Sequence, residues 1–175
     1  MSVLFWVVFI VVLAFGFVVF FGAPYVPSRK KYIREVFKDL YQLGPGDTLL
    51  DLGAGDGVVL REAARCGALA IGYELNPLLV WIGRLLSHKY SKVQLRIANI
   101  WRTPFPDSTT VVYLFGDARD IKRLARRIEE EASRLNRMLY IISYGFELPG
   151  HKNAGQQGAY YLYKIKPLHV KKPQV

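Results

Sequence analysis

The sequence predicts an α/β fold in which a mostly parallel sheet carries helices on both faces, preceded by one apolar helix. Three observations support this prediction. Short apolar runs alternate with amphipathic helical patterns after residue 28, a glycine-rich turn follows the first of those runs, and residues 3–23 contain no charge, amide or histidine. Strands that alternate with helices form parallel sheets, because each crossover helix returns the chain to the same edge.

The apolar run from Val3 to Ala23 predicts a transmembrane helix. Its 21 residues are enough to cross a hydrocarbon core of roughly 30 Å. A cleaved signal peptide is the alternative, but the run is too long for an h-region, and Phe21-Gly22-Ala23 before Pro24 is a poor cleavage site. A buried core helix would need protein on every side, which a chain this short hardly supplies.

Basic residues follow the apolar run. They are Arg29, Lys30, Lys31, Arg34 and Lys38. The positive-inside rule then places residues 24–175 on the cytoplasmic side of a membrane, or facing the matrix of the mitochondrial inner membrane if the source is eukaryotic. The same cluster would rest on anionic headgroups, so the lipid bilayer is an expected partner. A solvated helix face is the alternative interpretation of this cluster.

Four segments follow from these patterns: an anchor at 1–23, a basic linker and first helix at 24–46, a ligand-binding domain at 47–166 and a basic tail at 167–175. The chain carries 24 Lys and Arg against 14 Asp and Glu, a net charge of +10, which attracts anionic partners. A single cysteine, Cys66, excludes an intramolecular disulfide and an all-thiolate metal site. The histidines have no metal-ligand spacing, and we expect no metal.

Local patterns predict each element between the anchor and about residue 88. Apolar residues from Ile33 to Tyr41 recur on one helical face, with Ser28 as the expected N-cap, and this helix ends at Gly44-Pro45-Gly46. The predicted elements that follow are a strand Thr48–Leu52, a turn Gly53–Gly57, a helix to about Arg65, a strand Leu69–Glu74 and a helix from Asn76-Pro77 to about His88.

The second half continues the alternation and then changes to strands. The predicted elements are strands Val93–Ala98 and Thr110–Phe115, a charged helix Asp117–Leu135, and strands Met138–Tyr144 and Ala159–Ile165 joined by a loop rich in Gly, Pro and Gln. Two consecutive final strands predict an antiparallel hairpin at the sheet edge.

The candidate site lies where the first two strands end. Gly53, Gly55 and Gly57 remove side chains from the turn after the first strand, so a ligand can lie on the backbone beside the next helix. Glu74 ends the second strand, 23 residues after Asp51, where an acid accepts hydrogen bonds from both hydroxyls of an adenosine ribose. The pattern predicts a cofactor that contains adenosine.

Asp51 favours a cationic cofactor. A dinucleotide fingerprint would have Gly or Ala where this chain has Val58, and it would gain nothing from a carboxylate beside a pyrophosphate. A Walker loop is excluded, because no Gly-Lys-Ser/Thr follows. S-adenosylmethionine has an ammonium and a sulfonium and no phosphate, so it fits Asp51. The alternative interpretation of Asp51, Asp56 and Glu74 is that they cap helices or lie in a solvated loop.

The sequence resembles a known family of enzymes at these motifs. The segment from Asp51 to Gly57 and the block Gly72-Tyr73-Glu74-Leu75-Asn76-Pro77 resemble motifs of class I S-adenosylmethionine-dependent methyltransferases. This resemblance implies a Rossmann-like fold. A narrower resemblance, to the small membrane-anchored protein-lysine methyltransferases, rests on Pro24 to Pro27, Tyr73 to Pro77, Val80-Trp81, Asn99 to Trp101 and Phe115-Gly116. Mitochondrial members of that group trimethylate a lysine of the ATP synthase c subunit or of the adenine nucleotide translocase.

The resemblance implies roles for individual residues. The three glycines would contact the cofactor through backbone, Asp51 would orient its amino-acid part, and Glu74 would bind the ribose. Asn76 would shape the rim of the site. Asn99 stands where the family usually has an aspartate that accepts a hydrogen bond from adenine, which its amide oxygen can also do.

Methyl transfer from a sulfonium requires alignment and desolvation rather than a strong acid or base, so no catalytic residue is assigned. An apolar, aromatic slot would favour the neutral form of an acceptor lysine. The candidates for its walls are Tyr25, Trp101, Phe115, Tyr144 and Phe146, for each of which ordinary packing is the alternative.

The sequence thus predicts an enzyme that methylates a lysine of a membrane or membrane-proximal protein. A lipid or quinone methyltransferase at the membrane is the alternative function. Nucleic acid is not expected as a partner, because the Asn/Asp-Pro-Pro-aromatic loop typical of base-amine methylation is absent after the fourth strand. A non-catalytic cofactor-binding protein is a third possibility.

Overall fold

A seven-stranded sheet forms the centre of the protein in the computed structural model, which describes residues 2–9, 12, 29–115 and 120–168. Its strands are β1 (Thr48–Leu52), β2 (Leu69–Glu74), β3 (Val93–Ile97), β4 (Val111–Phe115), β5 (Leu139–Tyr144), β6 (Gly155–Gln157) and β7 (Tyr160–Ile165). Their order is β3-β2-β1-β4-β5-β7-β6. The first five strands pair in parallel, and β7 pairs antiparallel with β5 and β6.

The helices of the domain cover both faces of this sheet. They are α1 (Lys30–Glu35), a π-helical turn (Val36–Leu40), α2 (Val58–Arg65), α3 (Pro77–Leu86) and α4 (Ile121–Arg134). One core cluster contains Ile33, Leu60 and Val80 from α1, α2 and α3. The other contains Leu124 and Ile128 from α4. The predicted α/β fold with helices on both faces is therefore confirmed.

Apolar strand sequences account for this arrangement. All five residues of β1 are buried, as expected for a strand covered on both faces. Successive side chains alternate between the faces, so Leu49 packs in the cluster with α2, whereas Leu50 packs in the cluster with α4. Asp51 shares the face of Leu49 by the same alternation, and it is therefore directed towards the side of α2.

Two predictions of local structure are corrected. The segment between Tyr144 and Tyr160 contains the short strand β6, which pairs with β7, where we predicted a loop. The first helix changes to π geometry at Val36, and Arg29 occupies its N-cap position. The expected cap, Ser28, lies outside the described residues. The antiparallel edge itself agrees with the prediction.

The predicted anchor is only partly described. Residues 3–9 and 12 are helical, and the other residues of the run Val3–Ala23 lie outside the described part. In the part of the chain that the structure describes, no helix has both the length and the apolar character needed to cross a membrane.

The strand order determines where a ligand can bind. Strand β1 pairs with β2 on one side and with β4 on the other, so the order of connection reverses beside β1. In open parallel sheets, ligands bind at such a reversal, at the carboxyl ends of the strands. Leu52, Glu74 and Phe115 end the three strands at this edge.

Candidate functional site

A buried carboxylate lies at the end of β1. Asp51 is 3% exposed and pairs in register with Gly72 of β2 and Tyr113 of β4. Burial raises the pKa of the Asp51 carboxyl well above its usual range, and the nearby carboxylates of Glu74 and Asp56 raise it further. A cationic group at this edge would favour the ionised form of Asp51.

The glycine turn after β1 is tied to the end of β2. The backbone N–H groups of Gly53 and Ala54 both donate to the carbonyl oxygen of Tyr73, at 2.9 and 3.0 Å. Gly53, Gly55 and Gly57 have φ values of 94°, 54° and 77°, a region that residues with side chains rarely adopt. The turn therefore requires glycine for its conformation.

The glycines of the turn differ in their surroundings. A Cβ atom at Gly53 would meet nothing within 4 Å, whereas one at Gly57 would lie 3.2 Å from the side chain of Leu95. Gly53 is exposed and Gly57 is buried at the N-cap of α2. Open space beside Gly53 suits a ligand that lies on the backbone, while Gly57 has a packing role.

The carboxylate of Glu74 connects the two turns of the site. Its Oε2 accepts the N–H of Gly55 at 2.9 Å, and its Oε1 accepts the N–H of Asn76 at 2.8 Å. A carboxylate has about four lone-pair directions, so each oxygen retains one for a further donor. Glu74 is half-buried and can therefore hold a ribose diol while it fixes both turns.

Asn76 and Asn99 stabilise local backbone with their side chains. The amide oxygen of Asn76 caps α3 by accepting the N–H of Leu78 at 2.9 Å. The amide oxygen of Asn99 accepts the N–H of Trp101 at 2.9 Å. That bond uses one lone pair of the oxygen and neither amide hydrogen, so Asn99 keeps the capacity to bind adenine.

Sequence reasoning missed an ion pair that supports the glycine turn. The guanidinium of Arg61 on α2 contacts the carboxylate of Asp56 at 3.1 Å and also donates to the Asp56 carbonyl oxygen. Both side chains are largely buried. The spacing of five residues between Asp56 and Arg61 could have indicated that the arginine side chain reaches back from α2 to the turn that precedes it.

Two glycines outside the turn were also missed. A Cβ atom on Gly72 would lie 2.6 Å from side-chain atoms of both Ala54 and Leu60, and one on Gly83 would lie 3.0 Å from the backbone of Asp56. Strand β2 and helix α3 therefore approach the turn closely because these positions lack side chains. A glycine inside a strand or a helix is a usable signal of such close approach.

Aromatic residues gather at the ends of β4 and β5. The rings of Phe115 and Tyr144 lie 5.4 Å apart between centroids, and Tyr144 stacks on Tyr160 at 4.6 Å. Phe146 meets Phe115 edge-on at 6.3 Å. The structure thus brings together three of the residues predicted to line an acceptor slot.

The other two candidates are placed differently. The ring of Trp101 lies 4.2 Å from the guanidinium of Arg123 and packs against the core on the side of α4. It is not part of the cluster formed by Phe115 and Tyr144. Tyr25 lies outside the described residues, and so do residues 116–119, which follow β4.

The residues present fit S-adenosylmethionine. The buried Asp51 suits its cationic amino-acid part, Glu74 retains acceptors for a ribose, and the space beside Gly53 admits a ligand. The model of the ANTKMT methyltransferase domain family matches residues 51–154, well over half of the chain. The chain belongs to this methyltransferase family. The predicted family, enzyme class and cofactor are thereby confirmed.

Relatives of this methyltransferase include lysine methyltransferases. The chain is 34% identical over 112 residues to the lysine N-methyltransferase of the ATP synthase c subunit from Rattus norvegicus, covering 62% of this chain and 50% of the relative. It is 43% identical over 63 residues to the adenine nucleotide translocase lysine N-methyltransferase of Mus musculus, covering 35% of this chain and 27% of the relative. The chain thus spans half or less of these relatives.

A solved structure supports the methyltransferase fold. An RNA methyltransferase from Salinibacter ruber, in complex with S-adenosyl-L-homocysteine, superposes with a TM-score of 0.71. The match covers 86% of this chain and 100% of that chain, with 22% sequence identity. At this identity the likeness concerns the fold alone, and it confirms the class I methyltransferase architecture.

Proposed function

We propose that this chain transfers methyl groups from S-adenosylmethionine to a lysine side chain of a membrane or membrane-proximal protein. The observations that support this most are the match of residues 51–154, which include Asp51 and Glu74, to the ANTKMT methyltransferase family, and the similarity of the chain to lysine N-methyltransferases. The names of those relatives specify a lysine of a protein as the acceptor. The apolar run Val3–Ala23 supports an acceptor at a membrane.

The residues at the edge of the sheet have separate tasks in this proposal. S-adenosylmethionine supplies a methyl group activated by its sulfonium. Asp51 holds the cationic amino-acid part, Glu74 holds the ribose diol, and Asn99 contacts the adenine. The binding energy of these groups aligns the reacting atoms, which is the main requirement of an in-line displacement.

The aromatic cluster at Phe115, Tyr144 and Phe146 would receive the lysine. An apolar wall disfavours the ammonium form of lysine and so increases the fraction of nucleophilic amine. The aromatic faces also attract the methylated cation that forms. No strong base is needed in the cluster, because the lysine ammonium gives its proton to water before the neutral amine attacks the methyl carbon.

Membrane anchoring by residues 3–23 is part of the proposal. The run has no charge, and the basic residues from Arg29 to Lys38 follow it. The domain would then lie on the cytoplasmic side, or on the matrix side of a mitochondrial inner membrane. Anchoring raises the effective concentration of acceptors confined to the same bilayer.

The test is an acceptor assay. The purified full chain is incubated with tritiated S-adenosylmethionine and membranes from a strain that lacks its gene, and the lipid and protein fractions are then separated and hydrolysed. We expect methyl-lysine in a small membrane protein. Label in the lipid or quinone fraction would replace this proposal with the alternative acceptor class.

The control pair is Glu74→Gln and Glu130→Gln. Glu74 lies in the site, whereas Glu130 is exposed on α4. Loss of label with the first variant and normal label with the second would attribute the transfer to this site. Equal label with both variants would contradict the assignment.

A further inference from the structure

Helix α3 presents an exposed apolar face on the surface of the folded domain. Leu78, Trp81 and Leu85 occupy neighbouring outward positions, and they are 39%, 64% and 59% exposed. Leu75 just before the helix and Leu86 at its end are exposed as well. By contrast, outward positions of α4 are charged, namely Lys122, Arg123, Arg126 and Glu130.

The opposite face of α3 fixes this orientation. Val80 and Gly83 are buried, and Gly83 packs against the backbone of Asp56 and the side chain of Leu95. The guanidinium of Arg84 donates to the carbonyl oxygen of Leu95 at 2.8 and 3.0 Å. The helix therefore cannot turn its outward leucines and tryptophan into the core without losing these contacts.

The charged residues in the segment that contains α3 are all basic. Residues 75–106 contain no Asp or Glu, and they contain Arg84, Lys89, Lys92, Arg96 and Arg102. All five of these basic residues are exposed. An apolar stripe with tryptophan, on a helix that carries Arg84 and is followed by Lys89, is complementary to an anionic lipid surface, where leucine enters the acyl region and tryptophan lies at the headgroup level.

We propose that the outward face of α3, formed by Leu75, Leu78, Trp81, Leu85 and Leu86, lies on an anionic lipid bilayer. This goes beyond the proposed function, because it assigns a lipid contact to the folded domain itself and does not depend on the methyl acceptor. It is separate from the anchor at residues 3–23.

The contact would orient the site. Helix α3 begins three residues after Glu74, and the backbone N–H of Asn76 at its N-cap donates to the Glu74 carboxylate. A bilayer under α3 therefore holds the cofactor-binding edge at a fixed position relative to the membrane surface.

The test uses tryptophan fluorescence of the full chain. Trp6→Phe and Trp101→Phe leave Trp81 as the only one of the three tryptophans. This reporter is reconstituted into phosphatidylcholine vesicles with or without phosphatidylglycerol, and brominated phosphatidylcholine serves as quencher. We expect a shift of Trp81 emission to shorter wavelength and a loss of intensity, both larger in the anionic vesicles.

Matched variants of the reporter distinguish a lipid contact of the α3 face from a contact of other exposed apolar residues. Leu85→Gln together with Leu78→Gln should abolish most of the quenching, whereas Leu168→Gln should retain it. Leu168 and Leu85 are both 59% exposed, so the control removes an equally exposed leucine elsewhere. Binding of S-adenosylmethionine, measured by calorimetry, verifies that each variant is folded.

Two outcomes would overturn the inference. Unquenched Trp81 emission in vesicles that contain the chain, as shown by co-sedimentation, would mean that the anchor alone contacts lipid. A shift to shorter wavelength in detergent that grows with protein concentration would mean that a second copy covers the face. Since no methyl transfer is measured, failure of the lysine proposal would leave this result unchanged.

Discussion

The carboxylate of Glu74 accepts the backbone N–H of Gly55 at 2.9 Å, across 19 residues of sequence. This bond joins the glycine turn after β1 to the end of β2. The second carboxylate oxygen accepts the N–H of Asn76, at the start of α3. One side chain thus positions both turns between which an adenosine would lie, so any bond from Glu74 to the ribose would use the same carboxylate that shapes the site.

Removal of this carboxylate should weaken cofactor binding and stability together. Glu74→Ala leaves the N–H groups of Gly55 and Asn76 without their acceptor and deletes the acceptors for the ribose. We expect the Kd for S-adenosylmethionine to rise about 10- to 100-fold, the equivalent of one hydrogen bond to a charged group. The free energy of unfolding should fall by about 1–3 kcal/mol.

Calorimetry and urea unfolding measure these two effects. Glu130→Ala, on the exposed face of α4, is the matched control and should change neither quantity. Unchanged affinity of Glu74→Ala for the cofactor would refute the ribose assignment.

A methyl group added at Gly72 should displace the glycine turn and α2, which both lie against this position. Its Cβ would lie 2.6 Å from Ala54, which belongs to the glycine turn, and 2.6 Å from Leu60 of α2. Gly72→Ala should therefore lower the free energy of unfolding by about 1–3 kcal/mol and also weaken cofactor binding. Gly46→Ala is the control, because a Cβ there meets nothing within 4 Å. If both variants bind the cofactor equally well, the turn does not depend on this close approach.

Much of the fold was predictable because its central strands, β1, β2, β4 and β5, are mostly buried on both faces. Such strands are continuous apolar runs, and β1 and β2 have the predicted bounds. Strand β6 was missed because Gly155–Gln157 has no apolar pattern. It forms because the edge of β7 offers unpaired backbone groups, which is a property of the assembled sheet.

The positions of Asp51 and Glu74 at the strand ends were predictable, but the residues that support the glycine turn were not. The spacing of Asp51 and Glu74 follows from a strand, a turn, a helix and a strand, which local patterns reveal. A glycine inside α3 signals a close approach at position 83, but the identity of its neighbour, Asp56, depends on how α3 packs across the sheet, and no local pattern contains that information. The sequence also did not show that Trp101 and Phe115 lie apart. Trp101 follows an apolar strand and Phe115 ends one, so both were expected at the same edge of the sheet.

Asp51 should make stability depend on pH. Its pKa is raised in the folded chain by burial and by the carboxylates of Glu74 and Asp56. Below about pH 4, the ordinary pKa of a carboxyl, both states hold the proton and Asp51 is not destabilising. As pH rises above that value, the unfolded chain releases the proton first, so the free energy of unfolding falls until pH passes the folded-state pKa.

Urea unfolding of the wild type and Asp51→Asn between about pH 4 and 8 tests this sign. The wild type should lose stability relative to the variant as pH rises, because an asparagine side chain cannot ionise. Asp39→Asn, at an exposed position, is the control: it retains Asp51 and should lose stability with rising pH as the wild type does. A difference between wild type and Asp51→Asn that is constant with pH would contradict the prediction.

The aromatic cluster should affect transfer rather than cofactor binding. Tyr144→Leu removes the ring that contacts both Phe115 and Tyr160. We expect kcat to fall about ten- to hundredfold through misplacement of the acceptor, with the Kd for S-adenosylmethionine nearly unchanged. Tyr161→Leu, a half-buried tyrosine that packs in the other core cluster, is the control. Equal loss of kcat in the two variants would indicate a general packing defect.

Deletion of residues 1–23 should distinguish methyl-transfer activity from delivery of the enzyme to the membrane. The groups assigned to the cofactor all follow residue 50, so the shortened chain should methylate a short soluble lysine peptide at the rate of the full chain. Methylation of acceptors in intact membranes should fall strongly, because the bilayer no longer concentrates enzyme and acceptor together. Scintillation counting measures, for each chain, the ratio of methylation in membranes to methylation of the peptide. Equal ratios for the two chains would mean that residues 1–23 do not bring the enzyme to its acceptor, whereas loss of activity on the peptide as well would mean that they support the fold of the domain.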